Sequence, residues 1–166
     1  MPTADPTLDR LIRHMAWANA ALFARLATCS DEDLALAAPR NEWSVARILA
    51  HLVGAAGRYA GRLEHLPRVD EAQPPTTVGE LAALAALCAG YDVRLRAQAA
   101  LPDGPASFAE PDADVWPRST VLAQAIHHAT EHRAQIAGAL ATNGVDLIDL
   151  DAIDVWAFTE AETGGT

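Results

Sequence analysis

Residues 121–142 read VLAQAIHHATEHRAQIAGALAT. Val121, Ala125 and Ile136 recur at helical spacing, and His128 and His132 stand four apart on that same face. Residues i and i+4 of a helix stack one above the other, with Cβ atoms about 5–6 Å apart. The stretch therefore predicts a long helix whose inward-looking edge carries two imidazoles. Ser119 or Thr120 is placed to cap its start, and Asn143-Gly144 to close it in a left-handed turn.

Working outward, three more stretches carry the helical period. The first runs from about Pro6 to Thr28 through Leu8, Leu11, Ile12, Met15, Leu22 and Leu26, with Asp5 as cap and Pro6 in the first turn. Ser30-Asp31-Glu32-Asp33 opens a short turn of helix. Ser44 caps a second long helix, from Val45 to about Leu66, with Ile48, Leu49, Leu52, Val53, Ala56 and Leu63 on its apolar face and Pro67 ending it. Thr77-Val78-Gly79-Glu80 has the form of a capping box and opens a third, carrying Leu81, Leu84, Leu87, Cys88, Tyr91 and Leu95. Residues 102–117, rich in Pro, Asp and Gly, form the longest connection and are read as a crossover from one end of the molecule to the other. The tail from Val145 onward is acidic, with Leu150, Ile153, Trp156 and Ala157 suited to one short amphipathic helix. Four helices of about 20 residues predict an all-α fold, a four-helix bundle with a long crossover, in a single domain over residues 1–166.

Composition agrees and excludes some functions. The chain is 51% hydrophobic, much of it alanine, and β-branched and aromatic residues are sparse. Its formal net charge is −10, from 12 Lys+Arg against 22 Asp+Glu. Binding to nucleic acid needs cations that displace counterions from phosphate, and an anionic membrane asks for the same. Neither partner is expected. Cys29 and Cys88 form no disulfide framework and no ligand pair by spacing, and reduced thiols suit the cytoplasm. No basic-then-apolar leader is seen at the N-terminus, and the most apolar stretch, Leu81–Cys88, is too short to span a bilayer.

The chemistry lies with the histidines. His128 and His132 can converge on one cation at about 2.0–2.1 Å. A pair from one helix does not complete a site, and a third ligand must come from another helix. His51, at the margin of the second helix's apolar stripe, is the best placed. His14 lies near the apolar margin of the first helix, His65 falls at a helix end, and His127 points about 100° away from His128. The string His128-Ala129-Thr130-Glu131-His132 also spells H-x-x-E-H, the pattern of inverted zinc peptidases, in which Glu131 would activate water. A solvated carboxylate on the outer face of the helix is the other reading of Glu131. Gln135 or Gln124 can orient a ligand imidazole, Trp43 can wall the site, and Arg133 can serve a surface salt bridge or an anionic substrate.

These residues also carry a resemblance. His128, His132, Arg133 and Gln135 match the H-x-x-x-H-R-G-Q run of the DinB-like (DinB/YfiT) superfamily, with Ala134 where glycine is usual. Trp17-Ala18-Asn19 resembles its W-A-N. Glu42-Trp43-Ser44-Val45 followed by Ile48-Leu49-Ala50-His51-Leu52 resembles its W-S-V and I-L-x-H-L segment, and the stretch from Asn143 through Trp156 its C-terminal part. The resemblance implies a four-helix bundle with a crossed connection, often homodimeric. It implies a divalent metal ion, Ni or Zn, held by His51, His128 and His132. Some relatives are S-transferases or isomerases that use a low-molecular-weight thiol, and others have no known activity. The expectation is a cytoplasmic metal-dependent enzyme that activates a thiol or water for a small-molecule substrate. A non-catalytic metal-binding stress-response protein and a zinc peptidase are the alternatives.

Overall fold

The computed structural model describes residues 5–39 and 42–164. Four long helices carry the fold: α1 (Pro6–Leu26), α3 (Val45–Leu63), α4 (Leu81–Ala99) and α5 (Arg118–Thr142). A one-turn α2 (Asp31–Leu34) sits in the first connection, and α6 (Val155–Thr163) follows a 3-10 turn at Asp151–Ile153. Helix starts follow the sequence where a side chain is available to cap them. Asp5 accepts from the Thr7 and Leu8 amides, Ser44 from Arg47, and Ser30 and Asp33 form a reciprocal capping box.

Around the bundle, α1 lies beside α4, α4 beside α3, α3 beside α5, and α5 beside α1. Successive helices α1 and α3 therefore stand on one diagonal, and α4 and α5 across the other. The segment joining α4 to α5 is the expected crossover, and it contains a feature not predicted. Pro105–Ala106 (β1) pairs antiparallel with Trp116–Pro117 (β2), which pins the crossing chain at its two ends. Two clusters fill the interior. Leu22, Leu26, Ile48, Leu49 and Leu140 occupy one end and Ile12, Met15, Leu95 and Leu122 the other. Burying each such side chain stabilises the fold by about 1.5–3 kcal/mol.

Several local expectations change. Helix α5 begins at Arg118 with no side-chain cap, because Ser119 is engaged by Asp103, which accepts from its amide and its hydroxyl at 2.9 Å each. Thr77 does not cap; Glu80 instead accepts from the Thr76 amide and hydroxyl, and Val78–Glu80 is a 3-10 turn leading into α4. Helix α3 stops at Leu63, short of Pro67, and His65 takes a φ of 54°. Its ring Nδ1 meets the Ser107 carbonyl at 3.2 Å, so it fastens the crossover. Gly144 does adopt the left-handed conformation, with φ 82°. In the tail Trp156 is 80% exposed, and Phe158 is the residue that buries α6 against His14 and Trp17 of α1. No helix is long and apolar enough to cross a membrane among the described residues.

Candidate metal centre

Helices α3 and α5 pack side by side, and the three expected imidazoles meet between them. His128 Nε2 lies 3.1 Å from His51 Nε2 and 3.0 Å from His132 Nε2. One ligand nitrogen from each ring falls within 4.8 Å of the others, and among the described residues this is the group that could hold a metal ion. His14, His65 and His127 are not part of it. His14 is buried and bonds the Ile153 carbonyl at 2.9 Å, tying the 3-10 turn before α6 to α1. His127 is exposed.

The outer nitrogens decide what the inner ones are. His132 Nδ1 lies 2.7 Å from Gln135 Oε1, and His51 Nδ1 lies 2.8 Å from Glu71 Oε1. Both partners are acceptors, so each Nδ1 carries the hydrogen, and the neutral form of each ring turns a bare lone pair inward. His128 has at most one Nε2 proton to donate and two bare nitrogens facing it. One nitrogen–nitrogen contact must then set lone pair against lone pair. A cation satisfies all three at once, and nitrogens held tetrahedrally at about 2.0–2.1 Å stand roughly 3.3 Å apart. The residues fit a three-imidazole metal site.

Electrostatics point the same way. Burial pushes the His128 pKa down to about 3, helped by His132, His51 and Arg58. Burial lowers His132 also, against the opposing Gln135 hydrogen bond. Both rings are thus held in the neutral form that ligates. The surroundings are aromatic. Trp43 stands edge-on to His51 at 4.8 Å between ring centroids, with the Arg47 guanidinium over its indole at 4.9 Å. Tyr59 stands edge-on to His128 at 5.6 Å and bonds Gln124. The His51 side chain keeps 22% of its surface, so the site is reachable from outside.

Of the candidate helpers, Gln135 orients His132 and Trp43 walls His51, as two of the sequence readings allowed. Glu131 is exposed and outside the three-histidine group, though its charge is felt at His132 and Tyr59. Arg133 corrects its expectation of a surface salt bridge. It is 3% exposed and donates to Asn19 Oδ1 at 2.8 Å and to Thr130 Oγ1 at 3.0 Å. Its partner Asn19 donates in turn to Asp92, whose carboxylate also accepts a long 3.8 Å contact from the Cys88 thiol.

Glu71 was not anticipated. It lies in the irregular segment after α3, where periodicity says nothing. The one available signal is Gly54, three residues beyond His51. A Cβ there would stand 3.1 Å from the Glu71 Cα and 3.2 Å from the Ala72 nitrogen, so glycine lets the returning chain lie against the helix and deliver the carboxylate.

A family model described as the DinB family matches residues 1–162. Among solved structures, the crystal structure of a DinB-like protein from Bacillus cereus ATCC 10987 is similar with a TM-score of 0.65. The match covers 84% of this chain and 94% of that one at 16% identity, a likeness that carries the fold alone. No curated protein matches the chain.

Proposed function

The chain belongs to the DinB family, and from that membership and its three meeting imidazoles we propose a metal-dependent enzyme that activates a thiol or water for a small-molecule substrate. The observation that carries this reading is the trio of Nε2 atoms at 3.0 and 3.1 Å with their outer nitrogens already committed to Gln135 and Glu71. A divalent ion bound there, Ni or Zn by the resemblance, supplies Lewis acidity that lowers the pKa of a coordinated water or thiol.

The chain's own residues do the rest. His51, His128 and His132 hold positions set by two packed helices. Glu71 and Gln135 fix ring orientation and tautomer, and such partners are worth about 10–100-fold in affinity for the ion. Trp43 and Tyr59 line the approach and keep bulk water off two of the rings. Three neutral ligands leave positions open, the arrangement of catalytic rather than structural sites. Glu131, on the outer rim beside His132, is the carboxylate offered as proton acceptor.

The test is elemental analysis of untagged protein purified without added metal, followed by thiol-transfer and hydrolysis assays on the loaded form. Near-stoichiometric Ni or Zn with turnover supports the proposal. Stoichiometric metal with no turnover of any thiol or ester leaves a non-catalytic metal-binding protein. Less than a few per cent occupancy, unchanged on adding metal, ends it. Glu131→Gln tests the proton acceptor separately, and peptide cleavage lost in that variant favours the peptidase alternative. Copies are proposed to pair as homodimers in the cytoplasm, and sedimentation velocity near 35 kDa, about twice the chain's 17.6 kDa, checks the pairing.

A further inference from the structure

The protein is strongly acidic, yet the helix that carries His51 is not. Helix α3 holds Arg47, Arg58 and Arg62 and no Asp or Glu. At 100° per residue, Arg58 falls two turns beyond His51 on nearly the same line, about 10.5 Å along the axis. Helical side chains lean toward the N-terminus, so this guanidinium inclines toward the imidazoles, not away from them. Its charge is in fact felt at both His128 and Tyr59.

Arg58 is also idle. It is half-buried, and among the described residues its side chain makes neither a hydrogen bond nor an ion pair. The other arginines of the helix are occupied: Arg62 donates to the Asp114 carbonyl at 2.7 Å and lies over Phe108, and Arg47 lies over Trp43. Partial burial of an unpaired guanidinium gives up hydration without return, which is unexpected where acidic side chains outnumber basic ones 22 to 12. Glu131, whose charge is felt at Tyr59 as that of Arg58 is, does not take it.

We propose that Arg58 is the specificity residue of this site, and that the substrate carries a carboxylate which this guanidinium binds while its reacting end lies at the three imidazoles. The inference rests on the metal-centre reading above and adds the substrate class. A planar guanidinium fork matches a carboxylate bidentately. A single positive charge on a chain of net charge −10 suits a monoanion better than a dianionic phosphate. The spacing calls for a molecule whose carboxylate stands several bonds from its reacting atom.

The experiment uses the full chain loaded with Co2+, whose spectrum reports both metal uptake and thiol binding. Two thiols of equal length, 6-mercaptohexanoate and 6-mercaptohexanol, are titrated in turn. Wild type is expected to bind the acid at least about 10-fold more tightly than the alcohol. Arg58→Gln removes that preference while cobalt uptake and helicity stay as they were, and Arg58→Lys keeps about a third of it. Equal binding of the two thiols by wild type, or a preference that survives in Arg58→Gln, overturns the inference and leaves the metal centre standing. Failure to take up cobalt overturns the metal centre and this inference with it.

Discussion

Helix α5 carries polar side chains on two sides, and the two sides end in opposite states. Toward α3 it presents His128 and His132, whose inner nitrogens meet that of His51 with at most one proton among the three. Toward α1 and α4 it presents Arg133, which meets Asn19, and Asn19 meets Asp92. The second group is closed: Asn19, Asp92 and Arg133 are each at most 4% exposed, and every buried polar side-chain atom among the described residues has a partner. The first group is satisfied only at its outer edge, by Glu71 and Gln135. A network that completes itself specifies how helices pack. One that is complete except for its centre asks for something from outside.

The largest effect should come from breaking the closed side. Arg133→Ala strands a buried carboxylate and should destabilise the fold by about 3–5 kcal/mol, read as a shifted urea midpoint. Metal stoichiometry of the folded fraction should be unchanged; a loss of metal at full helicity would show that the two sides are one system.

On the open side the signs exchange. His51→Ala should weaken metal binding by at least about 100-fold, more than loss of a supporting residue, since a ligand itself is gone. The metal-free variant should melt within about 1 kcal/mol of metal-free wild type, because the ring lies at the edge of the core and keeps part of its surface in water. Calorimetric titration and a thermal melt together measure both.

The closed side also predicts a pH dependence. Burial pushes the Asp92 carboxyl up to about 6, against the hydrogen bonds from Asn19 and Cys88 and the charge of Arg133. The folded state thus binds a proton that the unfolded chain has released above about 4. Stability from this group therefore falls as pH rises from about 4 to about 6 and is flat above that, by on the order of 1–3 kcal/mol. Asp92→Asn should flatten that portion of a stability–pH curve, and a curve unchanged by the substitution would contradict the assignment.

The smallest effects sharpen the open side. Glu71→Ala should lower metal affinity about 10-fold by freeing the His51 ring. Gly54→Ala should reproduce part of that loss, a few-fold, by lifting the Glu71 backbone from α3. If Gly54→Ala leaves the affinity untouched, the close approach of chain and helix is not what positions the carboxylate.

Much of this was legible beforehand, for reasons that differ by residue. His128, His132 and Gln135 share one helix at spacings of four and three, so local geometry alone aligns them. His51 needed the additional knowledge of a resemblance, because nothing in its own helix points to α5. Arg133 was misread. One residue from a ligand and charged, it has the look of a surface group, and only the passage of α1 and α4 across that face buries it. The motif pieces Trp17-Ala18-Asn19 and His132-Arg133 are 114 residues apart where Asn19 bonds Arg133, so neither explains the other until the bundle closes.

The amino-acid sequence by itself determined the helices, the all-α class and the alignment of His128 with His132, because the 3.6-residue period and the caps act between near neighbours. Tertiary structure alone decided that Glu71 serves His51, that Asn19 and Asp92 enclose Arg133, and that Arg58 finds no partner among the described residues. Those outcomes depend on which helices lie side by side, and contacts between residues distant in the chain leave no period to read.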